Sequence, residues 1–320
     1  MKRSFRLPAR LGLLALPVLL LIGCTTPIKR DDLAAWDVPG PATEELPLES
    51  GQIVVTTSDN TMDTFVSLLP AVYNPYVHAA VLSLENGKPY IYEEFGRQWL
   101  NPFAKSPTDT VSGRVKRVPL YEFLNRYAHI EIWDPVNLDK TAIADFARYH
   151  YEQKTPFDPY FDHQDTDRLY CTEFVALALE AGGAEAIPVI PNRQNRSARI
   201  VLDWLQVPDG LIQANTLVAS GTRIATLSAT RTLTEIQVMD EVRRELYRRF
   251  TCDQRVGNLF SVSGPTVRLR EPAGRFVAEA LVLFDRDAPP PNTETIRTGV
   301  RGLAETLFGP FNPTVTCENR

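Results

Sequence analysis

One cysteine of the chain is a candidate for a catalytic nucleophile. Cys171 opens a segment predicted to be helical over residues 169–180, and Phe174 and Val175 share its apolar face. A thiol in the first turn of a helix lies near the positive end of the helix dipole, which favours the thiolate form. A histidine beside it would complete a nucleophile–base pair. The competing interpretation is a buried cysteine that only fills the core.

The candidate for that base is His78, which lies in an apolar segment predicted to be a strand. Asn86 and Gly87 follow this segment and predict a hairpin with a two-residue turn. In that register His78 and Glu93 are diagonal neighbours on one face of the sheet, about 7 Å apart at Cα. Glu93 could then orient the imidazole, as the third member of a catalytic triad does. A loop one residue longer would put Glu94 in that position instead.

Charge and motif content argue against several function classes. The chain has 34 Lys and Arg against 39 Asp and Glu, and the first 23 residues hold four of the bases and no acid. The remainder is acidic and has no basic tract, which argues against a nucleic-acid partner. No pair of His or Cys has the short spacing of a zinc site, so no metal is expected. No Gly-x-Ser-x-Gly sequence occurs, which argues against a serine hydrolase with that elbow.

The N-terminal residues 1–23 predict a secretory signal. Basic residues precede an apolar run over residues 11–22, which is shorter than the roughly 20 residues of a membrane span. The run ends in Leu21-Ile22-Gly23-Cys24, which resembles a bacterial lipoprotein box. In that class the signal is cut before the cysteine, so Cys24 is the expected lipidation site. Thr25 in place of Asp favours, by that class's sorting rules, the periplasmic face of a Gram-negative outer membrane.

Composition divides the remaining chain into three parts. Residues 24–50 are rich in Pro, Thr and acidic side chains and predict a tether. Residues 51–225 mix short strands with helices, which indicates an α+β domain. Residues 226–320 predict an appendage of helix, hairpin and helix, with helices over residues 232–250 and 294–307 and strands over residues 267–269 and 276–284.

Two details of this appendage are also predicted. Thr232 and Glu235 fit a capping box at the start of its first helix. Cys252 and Cys317 both lie in it, in a compartment that permits disulfides, so a bridge between them is expected. The alternative is two free structural thiols.

Several sequence features occur together in an order that carries a resemblance. His78 lies in an apolar strand, Tyr92-Glu93 in the next one, and residues 169–175 read Leu-Tyr-Cys-Thr-Glu-Phe-Val. This order resembles the permuted NlpC-like papain-fold hydrolases, the YiiX/YebB group related to lecithin–retinol acyltransferase, in which the histidine also precedes the cysteine. Residues 51–54 are similar to the group's opening strand, although Gln52 stands where an Asp is common. The resemblance covers roughly residues 50–220.

The resemblance implies a papain-like fold, in which a helix packs on a small antiparallel sheet or half-barrel. It implies that Cys171 is the nucleophile, that His78 is the general base and then the acid, and that Glu93 orients His78. Tyr170 would line the cleft, with plain packing as the alternative. No cofactor is expected, because acyl transfer through a cysteine needs none.

The substrate implied by the resemblance carries an amide or ester bond. A cell-wall peptide and an acylated lipid both fit, and hydrolysis and acyl transfer both stay open. The alternative from a different class is a non-catalytic outer-membrane lipoprotein that uses the same cleft for binding or scaffolding.

Overall fold

The computed structural model describes residues 46–58, 64, 67–68, 70–98, 111–165, 167–192, 207–250, 259–263, 266–286 and 288–311. The predicted signal and most of the predicted tether lie outside these residues. So do Cys24, Cys252 and Cys317, on which the lipidation and disulfide predictions depend. Cys171 lies inside the described part of the chain and is a free thiol.

The main sheet has six strands, and two smaller sheets have two strands each. The strands are β1 (Gln52–Thr57), β2 (His78–Glu85), β3 (Lys88–Gln98), β4 (Val111–Pro119), β5 (His129–Pro135), β6 (Val189–Pro191), β7 (Gly210–Ile212), β8 (Gly221–Leu227), β9 (Phe260–Ser263) and β10 (Thr266–Leu269). The main sheet is antiparallel throughout, in the order β4-β3-β2-β1-β5-β8, while β6 pairs with β7 and β9 with β10.

Helices alternate with these strands along the chain. They are α1 (Leu120–Leu124), α2 (Lys140–Gln153), α3 (Cys171–Ala181), α4 (Ala214–Leu217), α5 (Leu233–Phe250), α6 (Glu271–Leu281) and α7 (Thr293–Phe308). The mixed order and the antiparallel sheet confirm the predicted α+β class. Within the described ranges, no helix combines the length and the apolar character needed to cross a membrane.

Both faces of the main sheet are covered, because each carries its own set of apolar side chains. On one face Val81 and Tyr92 pack in a core with Phe174 of α3 and with residues of α2. On the other face Leu82 and Ile91 pack with residues of α1. Since consecutive strand residues point to opposite faces, neighbours on β3 meet different helices. This separation determines what surrounds Glu93 and Glu94.

The hairpin between β2 and β3 has the register that its turn residues predict. Asn86 and Gly87 have φ of 50° and 73°, the positive values that a type I′ turn requires at both central residues. The ladder runs from the pair Glu85–Lys88 to the pair Val81–Tyr92 and ends there. Beyond that point β2 stays paired with β1, and β3 stays paired with β4. The hairpin is therefore open at the end that carries His78.

The C-terminal part has a core of its own, formed by α5, α6, α7 and the β9–β10 hairpin. The predicted capping box at the start of α5 is confirmed. The Thr232 N–H donates to Glu235 Oε2 at 3.0 Å, and the Glu235 N–H donates to Thr232 Oγ1 at 3.3 Å. These bonds satisfy N–H groups that have no partner within the helix.

The predicted strand over residues 276–284 is wrong, because most of this segment belongs to helix α6. Ala273, Phe276 and Ala280 are spaced three and four residues apart and are all buried, which is the pattern of one helix face. Pro272 lies in the first turn, where a proline costs no hydrogen bond. The hairpin uses β9 and β10 instead, so a further helix stands between it and α7.

The sheet makes one close contact that allows a test of its packing. Gly96 of β3 lies opposite Gly113 of β4, and the side chain of Phe157 lies against both, with its ring against Gly96. A Cβ at position 96 would overlap that ring, so Gly96→Ala should lower the free energy of unfolding by about 1–3 kcal/mol. Urea denaturation measures the change.

Gly274 in α6 provides the control, because a Cβ there meets nothing within 4 Å. Gly274→Ala should raise the free energy of unfolding by about 0.5–1 kcal/mol, since alanine is the better helix former. If Gly96→Ala were as stable as the wild type, the described contact with Phe157 would be wrong.

Candidate active site

Cys171 is the first residue of α3 and is partly exposed. Strand β7 binds the residues on both sides of it. Thr172 Oγ1 donates to the carbonyl oxygen of Ile212 at 2.6 Å, and the Ile212 N–H donates to the Tyr170 hydroxyl at 3.2 Å. The first N–H groups of a helix have no acceptor within it, so the start of α3 offers donors to an anion next to the sulfur.

Tyr170, predicted to line the cleft, is buried in the structure. Its side chain is 1% exposed, and its ring packs against Phe161 with centroids 5.4 Å apart. Its backbone N–H donates to Glu173 Oε2 at 3.3 Å. These contacts are those of a packing residue that supports the start of α3, which is the alternative considered for it.

His78 lies in a buried network with two charged side chains. Its Nε2 is 2.9 Å from Oε2 of Glu93, and Oε1 of the same carboxyl accepts a hydrogen bond from Nη2 of Arg126 at 2.6 Å. Glu93 is 0% exposed and His78 is 7% exposed. The carboxyl therefore uses both of its oxygens, one for the imidazole and one for the guanidinium.

Two aromatic rings hold the imidazole in place. Phe123 belongs to α1, and Tyr127 follows that helix in the chain. The ring of Tyr127 stacks on His78 at a centroid distance of 5.6 Å and an interplanar angle of 14°. Phe123 lies on the same face of the sheet, 6.1 Å from His78. The Arg126 guanidinium also lies over these two rings, at 5.7 Å and 5.1 Å. The network thus fixes both the direction and the plane of the imidazole.

The protonation states follow from this network. Burial tends to raise the pKa of Glu93, but the hydrogen bonds and charges of His78 and Arg126 outweigh burial and hold this pKa below its ordinary value. An ionised carboxylate only accepts hydrogen bonds. Nε2 of His78 is therefore the protonated nitrogen, and Nδ1 is the nitrogen left to exchange a proton with Cys171.

Cys171 influences the protonation of His78. Burial tends to lower the pKa of His78, but the charge and hydrogen bonding of Cys171, followed by those of Glu93, raise it to about 9. His78 is then an imidazolium at neutral pH. A cation beside a thiol at a helix N-terminus is the arrangement that stabilises a thiolate nucleophile.

Two ionisable residues near the site were not assigned a role from the sequence. Arg126 follows α1, and no spacing rule links it to Glu93, which is 33 residues earlier in the chain. Glu94 appeared only as the residue that would replace Glu93 in another register. In the structure it faces the opposite side of β3, towards α3, and both of its oxygens are buried.

A second buried histidine lies outside the site. His129 Nδ1 is 2.8 Å from Thr57 Oγ1, and burial together with the charges of Arg243 and Arg223 lowers the pKa of His129 to about 3. It is therefore neutral at ordinary pH. Among the described residues, no three His, Cys, Asp or Glu side chains lie close enough together to hold a metal ion.

Comparisons with known proteins found similarity among solved structures alone. No protein-family model matches the sequence, and no curated protein matches it. Among solved structures, the chain is similar to the crystal structure of metalloprotein yiiX, DUF1105, from Escherichia coli O157:H7. The TM-score is 0.43 at 17% sequence identity, and the similarity covers 55% of this chain and 96% of that chain.

The pKa of His78 gives a direct test of the network. In Cys171→Ser the pKa of His78 should fall from about 9, because the largest of the contributions that raise it is removed. In the double variant with Glu93→Gln it should fall below 6.5, since burial then acts with little opposition. Titration of the histidine ring signals by NMR measures both values, and His129 serves as an internal control that should not move.

The raised pKa of His78 also determines how the stability of the fold changes with pH. Since the pKa of His78 is raised above its unfolded value of about 6.5, its contribution to stability is complete below that pH and is lost as pH rises through about 9. A pKa for His78 that stays near 9 in the double variant would contradict the network described above.

Proposed function

We propose that this chain is a bacterial envelope lipoprotein whose domain hydrolyses an amide or ester bond through a thioester on Cys171. The observation that supports this most is the arrangement of Cys171 at the start of α3 and of His78, held by Glu93 and Arg126. A partly exposed thiol beside a buried, oriented imidazole has little use in a purely structural domain. The papain-like fold implied by the sequence resemblance is part of the same proposal.

The first half of the reaction forms the thioester. The Cys171 thiolate attacks the carbonyl carbon of the substrate, and the carbonyl oxygen becomes an oxyanion. The N–H groups at the start of α3 would donate to that oxyanion. When the tetrahedral intermediate collapses, the bond to the amine or alcohol breaks. Nδ1 of the His78 imidazolium gives its proton to this leaving group.

The second half restores the enzyme. His78, now neutral, takes a proton from water at Nδ1 as the water attacks the thioester carbon. The bond from that carbon to sulfur breaks, which releases the acid and leaves the Cys171 thiolate paired with the His78 imidazolium. An alcohol or amine in place of the water would make the same site an acyltransferase. Glu93 and Arg126 touch no substrate and act as positioning residues.

The proposed substrate and location follow from the sequence. A lipid on Cys24 would hold the domain at the periplasmic face of the outer membrane, near both the cell wall and acylated lipids. Cell-wall peptides and acyl-lipid amides are therefore the first substrate classes to try. We favour hydrolysis of an amide over an ester.

A trapped acyl-enzyme tests the proposal. The full-length chain is incubated with peptide amides of the cell-wall type, long-chain N-acyl amides and acyl esters, then stopped with acid and examined by mass spectrometry. We expect an acyl adduct on Cys171 with at least one class. The adduct should be absent in Cys171→Ala and should form at least ~100-fold more slowly in His78→Ala.

His163→Gln is the matched control, because it removes a histidine that the proposed chemistry does not use. It should form the adduct at the wild-type rate. A substrate could instead bind without forming an adduct or being turned over, and bind equally well to Cys171→Ala. That result would support a non-catalytic lipoprotein that uses the cleft for binding.

A further inference from the structure

Basic side chains gather on one side of the site, next to Glu93. In the β3–β4 ladder Lys116 lies directly opposite Glu93, and Arg114 lies directly opposite Phe95. Residues two apart on a strand share a face, so these two pairs lie on the same face of the sheet. It is the face on which Glu93 meets His78. We call Phe95, Arg114 and Lys116 the cationic patch.

The cationic patch is accessible from solvent. Burial decreases along this face of β3, since Glu93 is buried and Phe95 is partly exposed. On β4 Lys116 is partly exposed and Arg114 is exposed. The Lys116 ammonium lies over the Phe95 ring, 4.4 Å from its centroid, and the Arg126 guanidinium lies 5.4 Å from the same centroid. The exposed end of this face therefore presents an aromatic ring with cations around it.

The two glutamates nearest to the patch have little charge to offer it. Glu93 already uses one oxygen for His78 and the other for Arg126. Glu94 points to the opposite face of β3, and burial together with the charge of Cys171 raises its pKa to about 9, so it is uncharged at neutral pH. This local excess of basic side chains contrasts with the whole chain, in which acidic residues outnumber basic ones by 39 to 34.

The position of the patch relative to His78 indicates which part of a substrate it meets. In the proposed mechanism His78 gives its proton to the leaving amine, so the amine part of the substrate lies on the His78 side of Cys171. Beyond His78 comes Glu93, and Phe95 follows about 7 Å further along β3. Two extended peptide residues span about 7 Å. A group carried one or two residues beyond the amine therefore reaches the patch.

Charge complementarity defines that group. We propose that the cationic patch binds a carboxylate on the amine part of the substrate, which makes the preferred substrate an amide of an amino acid or of a short peptide with a free carboxyl end. This inference rests on the proposed function, because it names a substrate class for the same site. Guanidinium and ammonium groups both bind carboxylates through charge-assisted hydrogen bonds. The carboxylate is favoured over a phosphate because the proposed function favours amides, and peptide amines carry carboxylates.

The test uses alkylating probes, so that it does not depend on turnover. Iodoacetyl-glycine and iodoacetyl-diglycine carry a carboxylate on the amine side of their carbonyl group, and their C-terminal amides are the neutral counterparts. The Cys171 sulfur forms a bond to the probe's CH2 carbon, and iodide leaves. The full-length chain is labelled at neutral pH and low ionic strength, and mass mapping follows Cys171 alone. The readout is the acid-to-amide ratio of labelling rates, divided by the same ratio for 2-mercaptoethanol, a small free thiol.

One cation at a partly exposed position contributes about threefold, so two cations should give the wild type a ratio of about tenfold. The diglycine probe should show the larger ratio, because its carboxylate reaches further. In Lys116→Gln and in Arg114→Gln the ratio should fall about threefold. Added salt should lower the wild-type ratio as well. Lys88→Gln is the matched control and should keep the wild-type ratio, since it removes an exposed cation from the turn end of β3.

The contrary outcomes are distinct. A wild-type ratio close to unity, or one that neither the variants nor salt change, would overturn the inference and leave the proposed function intact. If one variant does not fold, the other variant and the salt series decide. A larger ratio for the iodoacetyl amide of phosphoethanolamine than for both carboxylates would assign the patch to phosphate and overturn the carboxylate. If Cys171 reacts with every probe no faster than 2-mercaptoethanol does, the proposed function is overturned, and this inference with it.

Discussion

The site depends on a single buried carboxylate. Glu93 has no exposed surface, and it stays ionised because Arg126 and His78 each satisfy one of its oxygens. A buried charge that lost one of these partners would cost several kcal/mol, so the three side chains form one unit. This unit decides which nitrogen of His78 is protonated and in which plane the ring lies. The direction in which His78 presents Nδ1 to Cys171 follows from it.

Other parts of the fold bring the reacting groups to this unit. The β2–β3 ladder ends at Val81 and Tyr92, and α3 packs on both strands with Cys171 at its first position. Helix α5 also contacts the chain that leads into β2. The Tyr73 hydroxyl donates to the Asp240 carbonyl at 3.3 Å, and the Tyr247 hydroxyl donates to the Ala71 carbonyl at 2.8 Å. The C-terminal part thus helps to hold the segment that precedes His78.

Local rules predicted a large part of the site. The Asn-Gly turn and strand alternation were enough to bring His78 and Glu93 to one face, because both depend only on nearby residues. Arg126 could not be found in this way, since its contact with Glu93 depends on how α1 packs on the sheet. Tyr170 lies beside the nucleophile in sequence, but the ring is buried. In α6 the residues with high strand propensity led to the prediction of a strand, although Ala273, Phe276 and Ala280 have helical spacing. Packing of these three side chains in the C-terminal core favours the helix.

The most direct test of the account is the pH dependence of Cys171 alkylation in the wild type and in His78→Ala, with the adduct mapped by mass spectrometry. The thiolate–imidazolium pair predicts rapid labelling below pH 7 in the wild type. In His78→Ala labelling at the same pH should be much slower, because the imidazolium that stabilises the thiolate is lost. Labelling that begins only above pH 8 in both proteins would mean that Cys171 is a structural residue, and it would contradict the account.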